Sequence, residues 1–382
     1  MKNRFEALDS WRGICALMVA LLHLEAFSHF KGIDFFQDAY LFVDFFFVLS
    51  GFVIAANYLD RLSQGYRLDQ FMLLRFGRLY PLYFTVLLAF LTVTLGQSIL
   101  TGVSGFDGPR HTSGTIFANL FLLQSLNVFG FLTWNAPGWS IATEFWTCLL
   151  FALVARFAFR SLAACMVVVI SICTALILRQ SPHGMNTTYD YGMLRCMAGF
   201  AAGVLTFKVW QRVGHITVPA QFGLVVEAVT VLGVFMFVAL AGQGPVSLLA
   251  PLVFSGVVLV FAKESSLISA ALKTRPLIAL GTLSYSIYMV HMFIAVQLLN
   301  IAKLVQTMAG VTLLSRFSRE GAVVEMLGQK PLQGDVWTIA FIVIVIGVSA
   351  LTYRLIEVPS RDWFRRLNST PRPVLVVQAA RP

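Results

Sequence analysis

Arg12 and His23 lie eleven residues apart, close to three helical turns, so on a helix they project from nearly the same face with ~16 Å of rise between them. An imidazole can take or give a proton near neutral pH, and a guanidinium can hold an anion through paired hydrogen bonds. Both sit with Glu25 in the apolar stretch 8-LDSWRGICALMVALLHLEAFSHF-30. Ionisable groups at membrane depth are costly and normally face a protein interior or a watery cavity. Arg12 also reads as a topology anchor, and His23 as a hydrogen-bonded packing residue. The shared face turns the reading of the pair towards chemistry.

Further groups of the same kind follow. The stretch 42-FVDFFFVLSGF-52 carries Asp44 near one end and Ser50-Gly51 at its middle, where small residues also permit close helix packing. In 75-RFGRLYPLYF-84, Arg75, Arg78 and Tyr80 gather before Pro81, which is expected to open the third span. The two arginines could grip phosphate with help from the N–H groups of a helix N-terminus, or be topology charge alone. In 134-WNAPGWSIATEFW-146, Pro137 and Gly138 break the chain and Ser140 is expected to cap a helix with Glu144 one turn in, between Trp139 and Trp146. Glu144 then either complements the helix dipole or pairs with His23 at one depth as acid and base. His291, with Tyr285 and Tyr288, is expected to line the same cavity.

The elements that must position these residues are set by composition. With 58% hydrophobic and 12% charged residues among 382, the chain reads as an all-α polytopic membrane protein with a single domain. At about 20 apolar residues per crossing, spans are expected near 11–30, 39–59, 80–97, 139–157, 161–178, 193–209, 222–241, 246–262, 276–300 and 336–356. That makes ten, or eleven if 115–132 crosses, although Asn119, Gln124 and Asn127 suggest a short interfacial or re-entrant helix there. The first span is expected to be retained, since no signal-peptide cleavage site follows it. Most of the 28 basic residues then fall on one side, which makes both termini cytoplasmic. Much of the net charge of +10 is this topology signal, and nucleic-acid binding is not expected. The five cysteines read as small buried hydrophobes, with neither disulfides nor a metal site expected.

In this order the segments resemble the membrane-bound acyltransferase 3 family. The residues that carry the resemblance are Arg12 and His23 (R-x10-H), 45-FFFVLSGF-52, 75-RFGRLYPLY-83, 139-WSIATEFW-146, 281-GTLSYSIYMVH-291 and the terminal 356-IEVPSRDW-363. It runs through residues 1–363, with 364–382 expected to be a poorly ordered cytoplasmic tail.

The resemblance implies a polytopic protein of the bacterial inner membrane. Its implied activity moves an acyl group from cytoplasmic acyl-CoA to a hydroxyl of a surface or lipid-linked carbohydrate. Acetyl is the first expectation and succinyl an alternative. On that reading His23 is the general base or a transient acyl carrier, and Glu144 orients it or the acceptor. Arg12, Arg75, Arg78, Tyr80 and Ser50 hold acyl-CoA, while Asp44, Glu25, Trp139 and His291 meet the acceptor. Membrane lipids, polysaccharide-assembly proteins and a second copy of the chain are the other expected partners. No extracellular hydrolase-like domain is expected, so donor and acceptor meet within the membrane domain or a separate partner takes the acyl group. The segment 302–335, with Arg316, Arg319, Glu320 and Glu325, is a candidate acceptor-facing lid, or else an amphipathic interfacial helix. A transporter of a glycan or other anionic substrate is the alternative from another class; such proteins are often built from repeated halves, and no repeat is visible here.

Overall fold

In hydrocarbon every backbone N–H and C=O must be paired within the protein, so long apolar runs become helices. The computed structural model describes residues 5–319 and 322–369. In chain order its elements are α1 (Glu6–His23), a one-turn α2 (Asp34–Gln37), α3 (Phe42–Ser63), α4 (Leu68–Thr101), α5 (Ser113–Leu120), α6 (Gly138–Phe157), α7 (Leu162–Gln180) and α8 (Gly192–Val213). There follow α9 (Ala220–Ala241), α10 (Ala250–Phe261), α11 (Leu267–Leu272), α12 (Arg275–Ala309), a hairpin of β1 (Leu314–Arg319) and β2 (Ala322–Leu327), α13 (Pro331–Thr352) and α14 (Val358–Ser369). Among the described residues eight helices are long and apolar enough to cross a membrane. The charge-bearing α1 and the shorter Pro245–Phe261 segment stand where the sequence placed two more spans. The molecule is an all-α polytopic membrane protein.

Two helix pairs frame the interior. The α1 helix lies along α12, and an added Cβ at Gly281 would overlap the Asp9 carbonyl. The α3 helix lies along α8, where a Cβ at Gly203 would strike the Val48 carbonyl. Without a hydrophobic driving force between helices in lipid, such close backbone approach supplies the packing. The α3–α8 pair is also pinned by charge. Arg195 donates from Nε and Nη2 to both oxygens of Asp44, at 2.7–3.2 Å, and from Nη2 to the Tyr40 carbonyl at 2.8 Å, with both side chains buried. Glu227, buried in α9, accepts hydrogen bonds from Ser265, Ser266 and Ser269 at the start of α11.

Several sequence expectations are corrected. Pro81 does not open a span: α4 is continuous from Leu68, because packing on α6, α12 and α14 outweighs one lost hydrogen bond. The first helix stops at His23, and the residues after it join the hairpin, with Leu327 N donating to Glu25 O and Phe27 N to Leu327 O, both at 2.9 Å. The segment 302–335 is therefore neither one loop nor one amphipathic helix: α12 runs on to Ala309, a strand hairpin follows, and α13 begins at Pro331. The side chain of Arg319 and all of Glu320 lie outside the described residues. In 115–132 only Ser113–Leu120 is helical, about 12 Å long. It ends where Leu122 and Asn127 take positive φ angles of 56° and 57°. Residues 364–369 belong to α14 rather than to a disordered tail, and Phe364 covers Gly77 of α4. The rest of the expected tail, 370–382, lies outside the described residues.

Candidate active site

A cavity of about 560 Å³ opens between α1, α3, α4, α6 and α12. The order of its lining residues along the helices gives it a direction. Phe5 and Asp9 of α1 and the exposed Asn57 of α3 mark one end. Arg12, Arg75, Arg78 and Ser284 come next, then Ser50 and Glu144. Val43, Phe46, Ser140 and Tyr288 form the far end, each further along its own helix in the same direction.

The middle of the cavity is basic and under-partnered. Arg12 donates to Ser284 Oγ at 2.9 Å and to Asp9 Oδ1 at 3.3 Å. Arg75 has a buried Nε with no hydrogen-bond partner, and its guanidinium lies 5.6 Å from the Tyr58 ring centre. Among the described residues Arg78 donates no hydrogen bond, although Glu357, Glu144 and the other two arginines are near enough to act on it electrostatically. Buried guanidinium donors without acceptors are expensive, and an anion would satisfy them. Glu144 Oε1 accepts from Ser50 Oγ at 2.6 Å, so this carboxylate belongs to the basic cavity.

Beyond the far end stand two histidines. His23 Nδ1 lies 2.8 Å from Val19 O, and His291 Nδ1 lies 3.2 Å from Ile287 O. A carbonyl oxygen only accepts, so in the neutral rings each Nδ1 carries the proton. The same His23 Nδ1–H is shared between Val19 O and, at the longer distance of 3.3 Å, His291 Nε2, and His23 Nε2 keeps its lone pair. That nitrogen can act as a base. Neither histidine lines the cavity; Tyr288 lies between, its ring lining the cavity and meeting the His291 ring edge-on at 5.8 Å.

Other expected site residues are placed differently. His23 and Glu144 do not pair: they reach different levels because Ser140 is not a cap. The α6 helix already begins at Gly138, which carries Glu144 past the first turn and down to Ser50. Asp44 is locked to Arg195 with 0% exposure, so it cannot meet an acceptor. Trp139 is buried edge-on against Phe47 at 5.9 Å and offers no open face to a sugar. Tyr80 points away from the arginines, donating to Leu120 O at 2.8 Å and stacking on Phe76. With α4 continuous from Leu68, Arg75 and Arg78 lie inside a helix and not at a helix start beside Pro81. Glu25 stands at the histidine end, 3.7 Å from Lys31. Among the described residues no cluster of three His, Cys, Asp or Glu is placed to hold a metal.

Sequence reading passed over Glu227, an acid inside an apolar span that could have been flagged by that alone. Glu357, in the terminal motif, is set behind α12, where it accepts from Ser286 Oγ at 3.1 Å.

A bundle of membrane helices around a basic cavity, with a base-competent histidine beyond it, defines a polytopic membrane protein equipped for anion binding and proton transfer. The chain belongs to the acyltransferase 3 family: the family model Acyl_transf_3, described as an acyltransferase domain, matches residues 5–354. It is a membrane acyltransferase. A Rhizobium radiobacter protein named "Protein 2 in picA locus" is 31% identical over 186 residues, covering 46% of this chain and 94% of that relative. No solved structure gave a significant match.

Proposed function

We propose that this membrane acyltransferase transfers an acyl group, acetyl in the first instance, from acyl-CoA to a hydroxyl of a surface or lipid-linked carbohydrate. The observation that carries the proposal is the cavity lined by Arg12, Arg75 and Arg78, with the Arg75 Nε donor buried and unpartnered among the described residues, which stops one layer short of the His23–His291 pair. The charge asymmetry of the sequence puts the Phe5–Asn57 end on the cytoplasmic side, in what we take to be a bacterial inner membrane. Acyl-CoA enters there, and Arg12, Arg75 and Arg78 hold its phosphates. The acceptor reaches His23 from the opposite side.

In the reaction His23 Nε2 takes the acceptor hydroxyl proton as the oxygen attacks the thioester carbonyl. The C–S bond breaks as the tetrahedral centre collapses, and the thiolate leaves with the proton returned from the imidazolium. Val19 O and His291 Nε2 share His23 Nδ1–H throughout, which fixes the tautomer and steadies the positive charge. The thiolate is a good leaving group, so positioning and hydroxyl activation are the main tasks. Glu144 and Ser50 act on the donor side, where the carboxylate offsets the three arginines.

The test is isotope-labelled acetyl-CoA given to membranes carrying the protein, with free CoA and labelled glycan followed by mass spectrometry. Label should enter surface carbohydrate with wild-type protein and not with His23→Ala. Equal labelling by the two proteins would sink the assignment of His23, and CoA left intact by wild type would sink the reaction.

A further inference from the structure

Resting on the donor assignment above, we infer that Phe46, Ser140 and Tyr288 form the acyl-selecting end of the cavity. In it the Tyr288 hydroxyl, positioned by Ser140, holds the thioester carbonyl, and the Phe46 ring limits the length of the acyl chain.

The first support is position. Ser284 marks the level of Arg12, and Tyr288 is four residues further along α12, about 6 Å closer to the histidines. An acyl-CoA gripped at the arginines with its thioester directed at His23 places its acyl group against Tyr288, where the lining of α12 ends, while on α3 the lining runs from Phe46 one turn on to Val43. Phe46 faces Tyr288 edge-on with ring centres 5.8 Å apart, closing the apolar side.

The second support is the hydrogen-bonding arrangement. Tyr288 Oη and Ser140 Oγ lie 2.8 Å apart, and both reach Pro137 O, at 3.3 and 3.0 Å. Two hydroxyl protons thus serve one carbonyl and one hydroxyl–hydroxyl contact. If Ser140 donates to Pro137 O, the Tyr288 proton can turn from Ser140 to a carbonyl in the cavity, and no buried donor loses its partner. A rigid pairing with two separate acceptors would not allow that exchange. Because the Tyr288 ring also touches His291, a carbonyl bound at its hydroxyl is held next to the histidine pair.

The selection should therefore be steric for the chain and polar for the carbonyl. One methylene in a fitted apolar pocket is worth roughly tenfold to two-hundredfold in discrimination. One neutral hydrogen bond is worth about fivefold.

The experiment measures dissociation constants of free CoA, acetyl-CoA and butyryl-CoA for the full chain in lipid nanodiscs. Wild type should prefer acetyl-CoA to butyryl-CoA. Phe46→Ala should shift that ratio towards butyryl-CoA by roughly tenfold or more, and Tyr288→Phe should weaken acetyl-CoA by about fivefold. Free CoA, held by the arginines, should bind both variants as it binds wild type, which also shows that they are folded. Where Phe46→Ala fails to fold, Phe46→Leu makes the same test with a smaller shift. An unchanged acetyl-to-butyryl ratio in the Phe46 variant, or unchanged acetyl-CoA affinity in Tyr288→Phe, overturns the inference and leaves the donor assignment standing. Wild-type protein that binds none of the three ligands overturns both.

Discussion

His23 Nδ1 lies 3.3 Å from His291 Nε2, joining the opening helix to α12 at the end of the bundle opposite the arginines. With both Nδ1 atoms turned to backbone carbonyls, the pair is ordered as a relay in which His291 accepts and His23 keeps a free Nε2.

His23→Ala should therefore lower turnover by about 10²–10⁴-fold, the usual worth of a positioned general base. His291→Phe should lower it less, because it removes the orienting acceptor and leaves the base. The KM for acyl-CoA should change little in either variant. Steady-state kinetics in nanodiscs would show this, and a His291→Phe variant with wild-type turnover would contradict the relay.

Arg75→Ala and Arg78→Ala should each weaken acyl-CoA binding by roughly tenfold or more, since a hydrogen bond to a charged group is worth about 1.5–3 kcal/mol. Lysine at either position should restore part of it. Unchanged donor affinity in both alanine variants would return these residues to a topological role.

Glu144→Gln keeps the shape of the side chain and removes its charge, 2.6 Å from Ser50 and among the three arginines. It should change the KM for acyl-CoA. A change in turnover alone, at constant KM, would place this carboxylate with the acceptor instead.

Asp44→Ala should destabilise the protein by about 3–5 kcal/mol, because it leaves the Arg195 guanidinium buried without its counter-charge. Replacing both residues with apolar ones should cost much less. Thermal unfolding of the single and double variants would measure this, and equal losses would contradict an ion pair that acts as a unit.

Glu325 lies outside the spans, and its hydrogen bond to Lys303, followed by the pairing with Arg316, holds its carboxyl below the usual glutamate range. The ionised form is thus favoured in the hairpin. This contribution is complete above the ordinary glutamate pKa of about 4.3 and is lost as pH falls through the lowered value. Amide exchange in β1 and β2, corrected for intrinsic rates, should rise below about pH 4 and not between pH 6 and 8. Glu325→Gln should remove that step.

How far the sequence could be read varies from residue to residue. The Arg12–His23 spacing correctly placed both on one side of α1, because 3.6 residues per turn is a local property. The same reasoning put Ser140 at a cap and Pro81 at a helix start. Both are local signals that were overridden once α6 began at Gly138 and α4 gained neighbours along its whole length. Asp44 and Arg195 stood 151 residues apart and could not be seen to be partners. His291 was expected to line the cavity, but neither histidine does, and the contact between their two rings could not be read from the sequence.

From the sequence alone came the membrane class, the helical architecture and the family, since apolar runs, charge distribution and short motifs are properties of neighbours along a chain. Only the tertiary structure decided which polar groups are available and which are used up. A buried charge takes its role from whatever faces it across helices, so Asp44 became a structural partner of Arg195 and Glu144 a partner of Ser50 inside the basic cavity. By the same cause His23, at one end of the cavity axis, was left with a free nitrogen.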